Sequence, residues 1–193
     1  MIGSYSYRTN TPAIWDGKVP TKYTRLLPHI GGGRILEIGA AEGVLSLLLA
    51  ERHDAQVTAL ELRQERHEAA LALQAHWKTL GRRVDGCRMV CGDIRNRLDL
   101  LDGVDTFVAI RTLYHLREDI DAVLAEVAQH VPFVVLSGNP NRAKRYAAGD
   151  IGDELGRYNF YAGIDGMSQA LTRAGYAIGA VVTDGDPIVT GYR

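Results

Sequence analysis

Residues 35–43 read ILEIGAAEG, in which an apolar strand runs directly into a turn of small residues. Gly39 and Gly43 stand where the backbone has to turn sharply or approach a ligand closely. The residues that follow repeat leucine at helical spacing. Residues 35–43 therefore predict a strand, a turn that can bind a ligand, and a helix.

The rest of the chain alternates short strand-like runs with segments of helical period, which is typical of βαβ units and a mainly parallel sheet. The predicted strands are residues 34–38, 56–60, 84–91, 104–110, 133–137, 177–183 and 188–192. The last two flank a turn at residues 184–187 and predict a hairpin. We expect one α/β domain over residues 31–193, with residues 1–30 as an arm or lid packed on it.

One long segment shows no clean period. Residues 139–162 carry several basic side chains and alternate neither as a helix nor as a strand. A connection of this length in a compact domain is usually functional or mobile. We predict a loop here, followed by a helix over residues 168–174 that ends at Gly175.

Composition excludes several classes of protein. The 193 residues are 46% hydrophobic, and 22 Lys and Arg balance 23 Asp and Glu, so no overall charge attracts nucleic acid or an anionic membrane. The apolar run at residues 44–50 is too short to span a bilayer, and residues 1–10 do not resemble a secretory signal. Cys87 and Cys91 lack a second Cys/His pair at zinc-finger spacing. We expect a cytoplasmic protein with no membrane partner.

Charge near the turn separates two classes of nucleotide ligand. A dinucleotide-binding fingerprint needs glycine-like residues at positions 39, 41 and 44, but Ala41 and Val44 occupy the last two. A dehydrogenase is thereby disfavoured. Glu37 and Glu42 would repel a pyrophosphate at the helix N-terminus. They would attract the sulfonium and α-ammonium groups of S-adenosylmethionine.

Two further strands end in residues suited to a nucleoside. Glu61 ends the second strand, where a carboxylate can accept hydrogen bonds from both hydroxyls of a ribose. Asp93 and Ile94 follow the third strand, where they can meet the amino group and the face of an adenine. Open α/β sheets bind ligands at this edge.

In order and spacing, residues 35–43, Glu61 and the run 92–94 resemble the motif series of class I S-adenosylmethionine-dependent methyltransferases. The resemblance covers residues 33–192. It implies a Rossmann-like, seven-stranded sheet of order 3-2-1-4-5-7-6, with helices on both faces and strand 7 antiparallel. The implied cofactor contacts are Gly39, Ala40, Ala41 and Gly43 with the methionine part, Glu37 with its amino end, Glu61 with the ribose, and Asp93 and Ile94 with the adenine. Ala41 departs from the family, which often has glycine there.

Residues 110–116, IRTLYHL, close the fourth strand. In this family the corresponding stretch borders the transferable methyl group, so Ile110 is expected beside the cofactor. His115 has the ordinary pKa best suited to accept a proton near neutrality. Tyr114 and Arg111 are candidates for orienting an acceptor, Arg111 above all one that bears a carboxylate or phosphate. In the alternative, His115 hydrogen-bonds a neighbouring loop and Tyr114 packs under the helix.

Acceptor contacts are expected from two segments that flank the opening. They are Tyr7, Trp15, Lys18 and Tyr23 in the arm, and Asn139, Arg142, Arg145, Tyr158 and Tyr161 in residues 139–162. Alternatively, the basic residues are an ordinary solvated cluster.

Methyl transfer from a sulfonium is an in-line displacement that depends on positioning and exclusion of water. We therefore predict no metal. A small-molecule or sugar acceptor is favoured, because the net charge is balanced and no nucleic-acid-binding module is appended. An RNA methyltransferase is the nearer alternative, supported by the basic residues of 139–162. A non-catalytic partner that keeps the cofactor pocket is a third reading, against which Glu61, Asp93 and the glycine turn argue.

Overall fold

Seven strands form one sheet in the order β3-β2-β1-β4-β5-β7-β6. The computed structural model describes residues 12–152 and 154–193. The strands are β1 (Arg34–Ile38), β2 (Gln56–Glu61), β3 (Cys87–Cys91), β4 (Thr106–Ile110), β5 (Phe133–Ser137), β6 (Ala177–Val182) and β7 (Ile188–Tyr192). The first five are parallel, whereas β7 runs antiparallel to both β5 and β6. The predicted fold class, strand order and antiparallel strand 7 are confirmed.

Helices cover both faces of this sheet. They are α1 (Pro12–Trp15), α2 (Thr21–Thr24), α3 (Val44–His53), α4 (Gln64–Thr79), α5 (Ile120–His130), α6 (Pro140–Ala147) and α7 (Ile164–Arg173). Alternate residues of β1 enter opposite layers: Leu36 packs in the layer of α5 and α7, and Ile35 in the layer of α3 and α4. Since both faces are covered, the central strands are apolar throughout, as expected for a buried parallel sheet. No helix in the described residues is long and apolar enough to cross a bilayer.

Residues 12–30 pack on the α3–α4 side. Ile14, Leu26 and Ile30 are buried in that layer. The indole Nε1 of Trp77 on α4 donates to the carbonyl of Ile14 at 2.9 Å. These contacts fix α1 and the short helical turns after it against the domain.

The predicted loop over residues 139–162 is wrong, because helices occupy much of it. Asn139 caps α6 by accepting hydrogen bonds from the backbone N–H groups of Asn141 and Arg142 at 3.1 and 3.4 Å, and Pro140 fits its first turn. The segment Gly156–Ala162 is a 3₁₀-helix. No side chain of α6 is fully buried, so its sequence carries no apolar period to read.

Several predicted boundaries also shift: β2 ends one residue later, β4 begins two residues later and β6 ends one residue earlier than predicted. Helix α7 begins at Ile164 rather than at residue 168. Strand β3 begins at Cys87 rather than at residue 84, because residues 84–87 form a turn in which the backbone N–H of Cys87 donates to the carbonyl of Val84 at 3.2 Å. Cys87 is buried, Cys91 is half-buried, and neither forms a disulfide.

Candidate active site

Every second residue of the turn between β1 and α3 has a left-handed backbone conformation. Gly39, Ala41 and Gly43 have φ angles of +65°, +52° and +73°. A Cβ at position 39 would collide with the side chain of Thr112, so position 39 requires glycine for space as well as for conformation. Ala41 adopts the left-handed region without being glycine, at a cost of about 1 kcal/mol. The backbone N–H of buried Ala40 donates to the carbonyl of Leu60 at 3.1 Å, which ties the turn to β2.

Glu61 lies across from this turn at the end of β2. Its Oε2 accepts the backbone N–H of Ala41 at 2.7 Å, and its Oε1 accepts that of Arg63 at 3.0 Å. The hydrogen bond to Ala41 stabilises the left-handed residue. A carboxylate has about four acceptor positions, so each oxygen of Glu61 retains capacity for one hydroxyl donor.

Glu37 is buried directly beneath the turn. Its carboxylate accepts a short hydrogen bond from the hydroxyl of Ser46 on α3. Burial raises the pKa of Glu37 to about 7, opposed by the hydrogen bond from Ser46 and assisted by repulsion from Glu61. Near neutrality this carboxyl group is therefore poised between its charged and neutral forms.

A cavity of about 300 Å³ adjoins the turn. It is lined by Ile14, Pro20, Lys22, Tyr23, Glu42, Val44 and Arg111. Glu42 is only 7% exposed, and its carboxylate has no hydrogen-bond or ion-pair partner within the described part of the chain. Because an unpaired charge is costly to bury, this carboxylate suits a cationic or hydrogen-bond-donating ligand.

Asp93 is already engaged. Its carboxylate caps the 3₁₀ turn Ile94–Asn96 by accepting the backbone N–H of Arg95 at 3.0 Å, and it pairs with the Arg95 guanidinium. The hydrogen bonds and charge of Arg95 lower the pKa of Asp93. Arg95 also pairs with Asp119 at 2.9 Å. Ile94 packs into the core at 3% exposure, so only a small part of it faces outward.

Arg111 follows half-buried Ile110 at the end of β4 and is held by a distant turn. Its guanidinium pairs at two points with Asp186 in the β6–β7 turn. The residue is left-handed, with φ +53°, and its backbone N–H donates to the carbonyl of Ser137 at 2.7 Å. Arg111 lines the cavity, but its charge is matched by Asp186.

His115 and Tyr114 lie next to each other, with ring centroids 4.6 Å apart. Tyr114 is 3% exposed and belongs to the core, whereas His115 is exposed. Partial desolvation of the ring, and then nearby arginines, lower the pKa of His115 to about 4. The arginines are Arg142, Arg63, Arg66 and Arg117. At neutral pH the imidazole is uncharged, which is the form that accepts a proton.

The family model described as "Methyltransferase domain" matches residues 35–132, just over half of the chain. This range contains the turn, Glu61, Asp93 and His115. The chain belongs to this methyltransferase family. The methyltransferase assignment made from the sequence is therefore confirmed. A comparison with curated proteins finds no match.

Solved structures resemble this methyltransferase in fold. The N-terminal domain of EvdMO1 with SAH bound has a TM-score of 0.62 and 19% identity, covering 89% of this chain and 79% of that one. Magnesium protoporphyrin IX methyltransferase (ChlM) from Synechocystis PCC 6803 with bound SAM has a TM-score of 0.64 and 15% identity over 100% and 85% of the two chains. The bifunctional kinase-methyltransferase WbdD has a TM-score of 0.64 and 15% identity, but the match covers 93% of this chain and 42% of WbdD.

The acceptor-binding residues predicted in the arm do not all lie at the cavity. Tyr23 lines the cavity. Trp15 instead packs against His76 on α4, with ring centroids 5.2 Å apart, and Lys18 is exposed outside the cavity lining. Tyr7 lies outside the described residues. Of the four, the structure therefore brings Tyr23 to the site.

The predicted residues of 139–162 also separate. Arg142 reaches the site, with its Cζ 5.1 Å from the Tyr114 ring centroid. Each of the others has a partner elsewhere. Asn139 caps α6, Arg145 pairs with Asp150, the Tyr158 hydroxyl donates to Glu118, and the Tyr161 hydroxyl accepts from Arg173. Arg142 therefore lies beside the Tyr114–His115 pair.

Sequence reasoning missed three residues that shape the site of the methyltransferase. Thr112 packs against Gly39 and donates its hydroxyl to the carbonyl of Ile110 at 2.9 Å. Thr112 lies within residues 110–116, which had already been assigned to the site from the sequence, so it could have been included in the prediction. Asp186 reaches the site through its pair with Arg111, and Asn159 through a hydrogen bond that it accepts from Arg142 at 3.0 Å. Both arrive by tertiary packing, so the sequence held no local signal for them. Across the described ranges, no group of three or more His, Cys, Asp and Glu side chains is placed to hold a metal ion.

Proposed function

We propose that this methyltransferase binds S-adenosylmethionine at the turn between β1 and α3 and methylates a small-molecule acceptor. One observation carries the proposal: Glu37, Glu42 and Glu61 surround the turn, and none of them has an ion-pair partner among the described residues. Three buried carboxylates without a cation suit a ligand that brings positive charge and hydroxyl donors. The SAH and SAM bound in the structures of EvdMO1 and ChlM support this choice of ligand.

The side chains divide the cofactor between them in this proposal. Glu61 accepts the ribose hydroxyls with the acceptor positions that its two backbone hydrogen bonds leave. Glu42 and Glu37 face the methionine end and its ammonium group. Ile94 presents its exposed edge to the adenine, and Asp93, held by Arg95, accepts from the adenine amino group. Bound in this way, S-adenosylmethionine supplies a methyl group on a positively charged sulfur.

The arm closes the same region. Ile14, Pro20 and Tyr23 line one side of the cavity, and Glu42 and Arg111 line the other. We propose that residues 12–30, the described part of the predicted arm, act as the lid that keeps water from the methionine end. Excluding water strengthens the interaction between the carboxylates and a cation.

The acceptor approaches from the side of His115. The neutral imidazole takes the proton from the acceptor's hydroxyl or amine as that oxygen or nitrogen bonds to the methyl carbon; the carbon–sulfur bond would break at the same time and leave a neutral thioether. Tyr114 holds the histidine ring from below through the contact at 4.6 Å. The rest of the rate acceleration comes from holding acceptor and methyl donor in line.

Titration calorimetry with S-adenosylhomocysteine tests the proposal. The wild-type protein should bind, and Glu61→Gln should bind at least about tenfold more weakly, which corresponds to about 1.4 kcal/mol. Glu65→Gln, an exposed carboxylate in the first turn of α4, is the matched control and should stay within about twofold. No binding by the wild-type protein contradicts the cofactor assignment. Equal affinity in Glu61→Gln contradicts the ribose role alone.

A further inference from the structure

Four arginines from three segments act electrostatically on His115. Arg63 and Arg66 come from the start of α4, Arg117 from the 3₁₀ segment Leu113–Asp119, and Arg142 from α6. Each raises the electrostatic potential at the imidazole. The positive potential at His115 therefore contrasts with the chain as a whole, whose net charge is -1.

Arg142 is held in a defined position within this group. Its Nη1 donates to Oδ1 of Asn159 at 3.0 Å, and its Cζ lies 5.1 Å from the ring centroid of Tyr114. Asn159 is fully buried and Arg142 is half-buried. The guanidinium is therefore fixed between a buried amide and an aromatic face beside His115.

The same amide leaves a donor unused. Nδ2 of Asn159 is buried and has no hydrogen-bond partner among the described residues. Buried polar groups are nearly always hydrogen-bonded, and one that is not usually marks a place for a water molecule, ion or ligand. The group missing beside Arg142 and Asn159 is thus a hydrogen-bond acceptor.

We propose that the methyl acceptor carries a carboxylate or phosphate group, and that Arg142, Asn159 and Arg63 bind this anion beside His115. The inference rests on the proposed methyl transfer. Guanidinium groups form two-point hydrogen bonds with both kinds of anion. Within the described residues, the Arg63 side chain makes no ion pair or hydrogen bond, so its charge is open to a ligand.

A small anionic molecule fits this site better than RNA. Several exposed arginines of the described residues are paired with carboxylates, among them Arg117, one of the four that act on His115, with Glu154 at 2.8 Å, and Arg145 with Asp150 at 2.7 Å. Arg95 and Arg173 are paired in the same way. RNA binding needs a continuous basic surface that follows the phosphate backbone. The ion pairs of Arg95, Arg117, Arg145 and Arg173 interrupt such a surface at these four positions.

Sulfate, a stable dianion shaped like phosphate, is the probe that tests this site, with benzoate as the carboxylate probe. The His115 imidazole proton resonance is followed by NMR during titration with sodium sulfate against sodium chloride of the same ionic strength. The wild-type protein should show a saturable shift. Arg142→Gln should weaken sulfate binding at least tenfold. Lys144→Gln removes the same charge from an exposed position two residues along α6 and should change the affinity less than twofold.

A second variant guards against misfolding of Arg142→Gln, which loses its hydrogen bond to Asn159. Arg63→Gln alters an exposed side chain and should weaken sulfate binding about threefold. A shift that does not saturate, or equal affinity in wild type, Arg142→Gln and Arg63→Gln, overturns the proposal. Equal losses in Arg142→Gln and Lys144→Gln, together with salt-dependent binding of bulk tRNA, replace the small anion with RNA.

Calorimetry with S-adenosylhomocysteine on the same samples separates this inference from the proposed function. Binding of S-adenosylhomocysteine without any saturable sulfate site removes the anionic acceptor and leaves the methyltransferase. A sulfate site without binding of S-adenosylhomocysteine counts against the cofactor assignment instead.

Discussion

Arg111 and Asp186 form a two-point ion pair across 75 residues, with Nε–Oδ2 at 2.8 Å and Nη2–Oδ1 at 2.5 Å. The pair joins the end of β4 to the β6–β7 turn. Arg25, which follows α2, pairs with Asp184 of the same turn at 3.2 Å. The hairpin therefore fastens both the arm and the β4 end at the edge of the cavity.

Asp186→Asn should lower the free energy of unfolding by about 1–3 kcal/mol, because it removes a charge-assisted pair whose side chains are only 27% and 18% exposed. Urea denaturation measures the change. Asp184→Asn is the control on the same turn, where the carboxylate is 94% exposed, and should change stability by less than about 0.5 kcal/mol. Equal losses in the two variants would show that Asp186 is an ordinary surface charge.

Gly39→Ala should lose both stability and binding of S-adenosylhomocysteine. The new methyl group meets Thr112, in addition to the strain of about 1–2 kcal/mol at a left-handed φ. Gly81→Ala is matched in φ, at +75°, but nothing lies within 4 Å of its added Cβ. Thermal unfolding and calorimetry should show loss of stability in both variants and loss of binding, at least about tenfold, in Gly39→Ala alone. Unchanged binding in Gly39→Ala would mean that this turn does not contact the cofactor.

His115 should titrate near pH 4, because partial desolvation and four arginines disfavour the imidazolium. The imidazole is then the neutral base at every pH above about 5, and a decline in rate due to its protonation should appear only as the pH falls through 4. An NMR pH titration of the His115 resonance measures the midpoint. Arg142→Gln should move this midpoint upward. A midpoint near 6.5 in the wild-type protein would contradict the electrostatic arrangement.

Glu37 should make the protein less stable as the pH rises from about 4.5 to about 7. Its pKa is about 7 in the folded state against 4.5 as the ordinary value, so the folded protein binds the proton more tightly. The unfolded chain loses that proton first as the pH rises, and the contribution of Glu37 falls by up to about 3 kcal/mol across this window. Urea denaturation at pH 5 and pH 7.5 measures it. Glu37→Gln keeps an acceptor for Ser46 and should remove this part of the pH dependence of the free energy of unfolding. An identical pH dependence in both proteins would contradict the raised pKa of Glu37.

The turn after β1 and the position of Glu61 could be predicted from the sequence, because both depend on neighbouring residues. The turn at Gly39 and Gly43 follows from glycine chemistry, and Glu61 follows from its place at the end of a strand. The bounds of β1, β5 and β7 were predicted as they are observed. Such features depend on neighbours along the chain, and sequence patterns record those neighbours directly.

Features that depend on packing between distant segments were not readable. Helix α6 buries no side chain completely, so it left no apolar period. The pair between Arg111 and Asp186 forms because β7 returns antiparallel beside β5, which no local pattern indicates. The hydroxyls of Tyr158 and Tyr161 likewise bond to distant Glu118 and Arg173. The contacts of these three residues with an acceptor stay predictions.

Because Glu37 is partly protonated near pH 7, cofactor binding should be linked to the release of a proton to the buffer. A cation arriving above the turn favours the carboxylate, so it drives the proton off Glu37 as it binds. Near pH 7 the heat of association should then vary with the ionisation enthalpy of the buffer. S-adenosylmethionine carries a positive charge on sulfur, whereas the sulfur of S-adenosylhomocysteine is neutral, so the first ligand should release more protons from Glu37 on binding. The difference in proton release between the two ligands measures the effect of the sulfur charge on this buried carboxyl group.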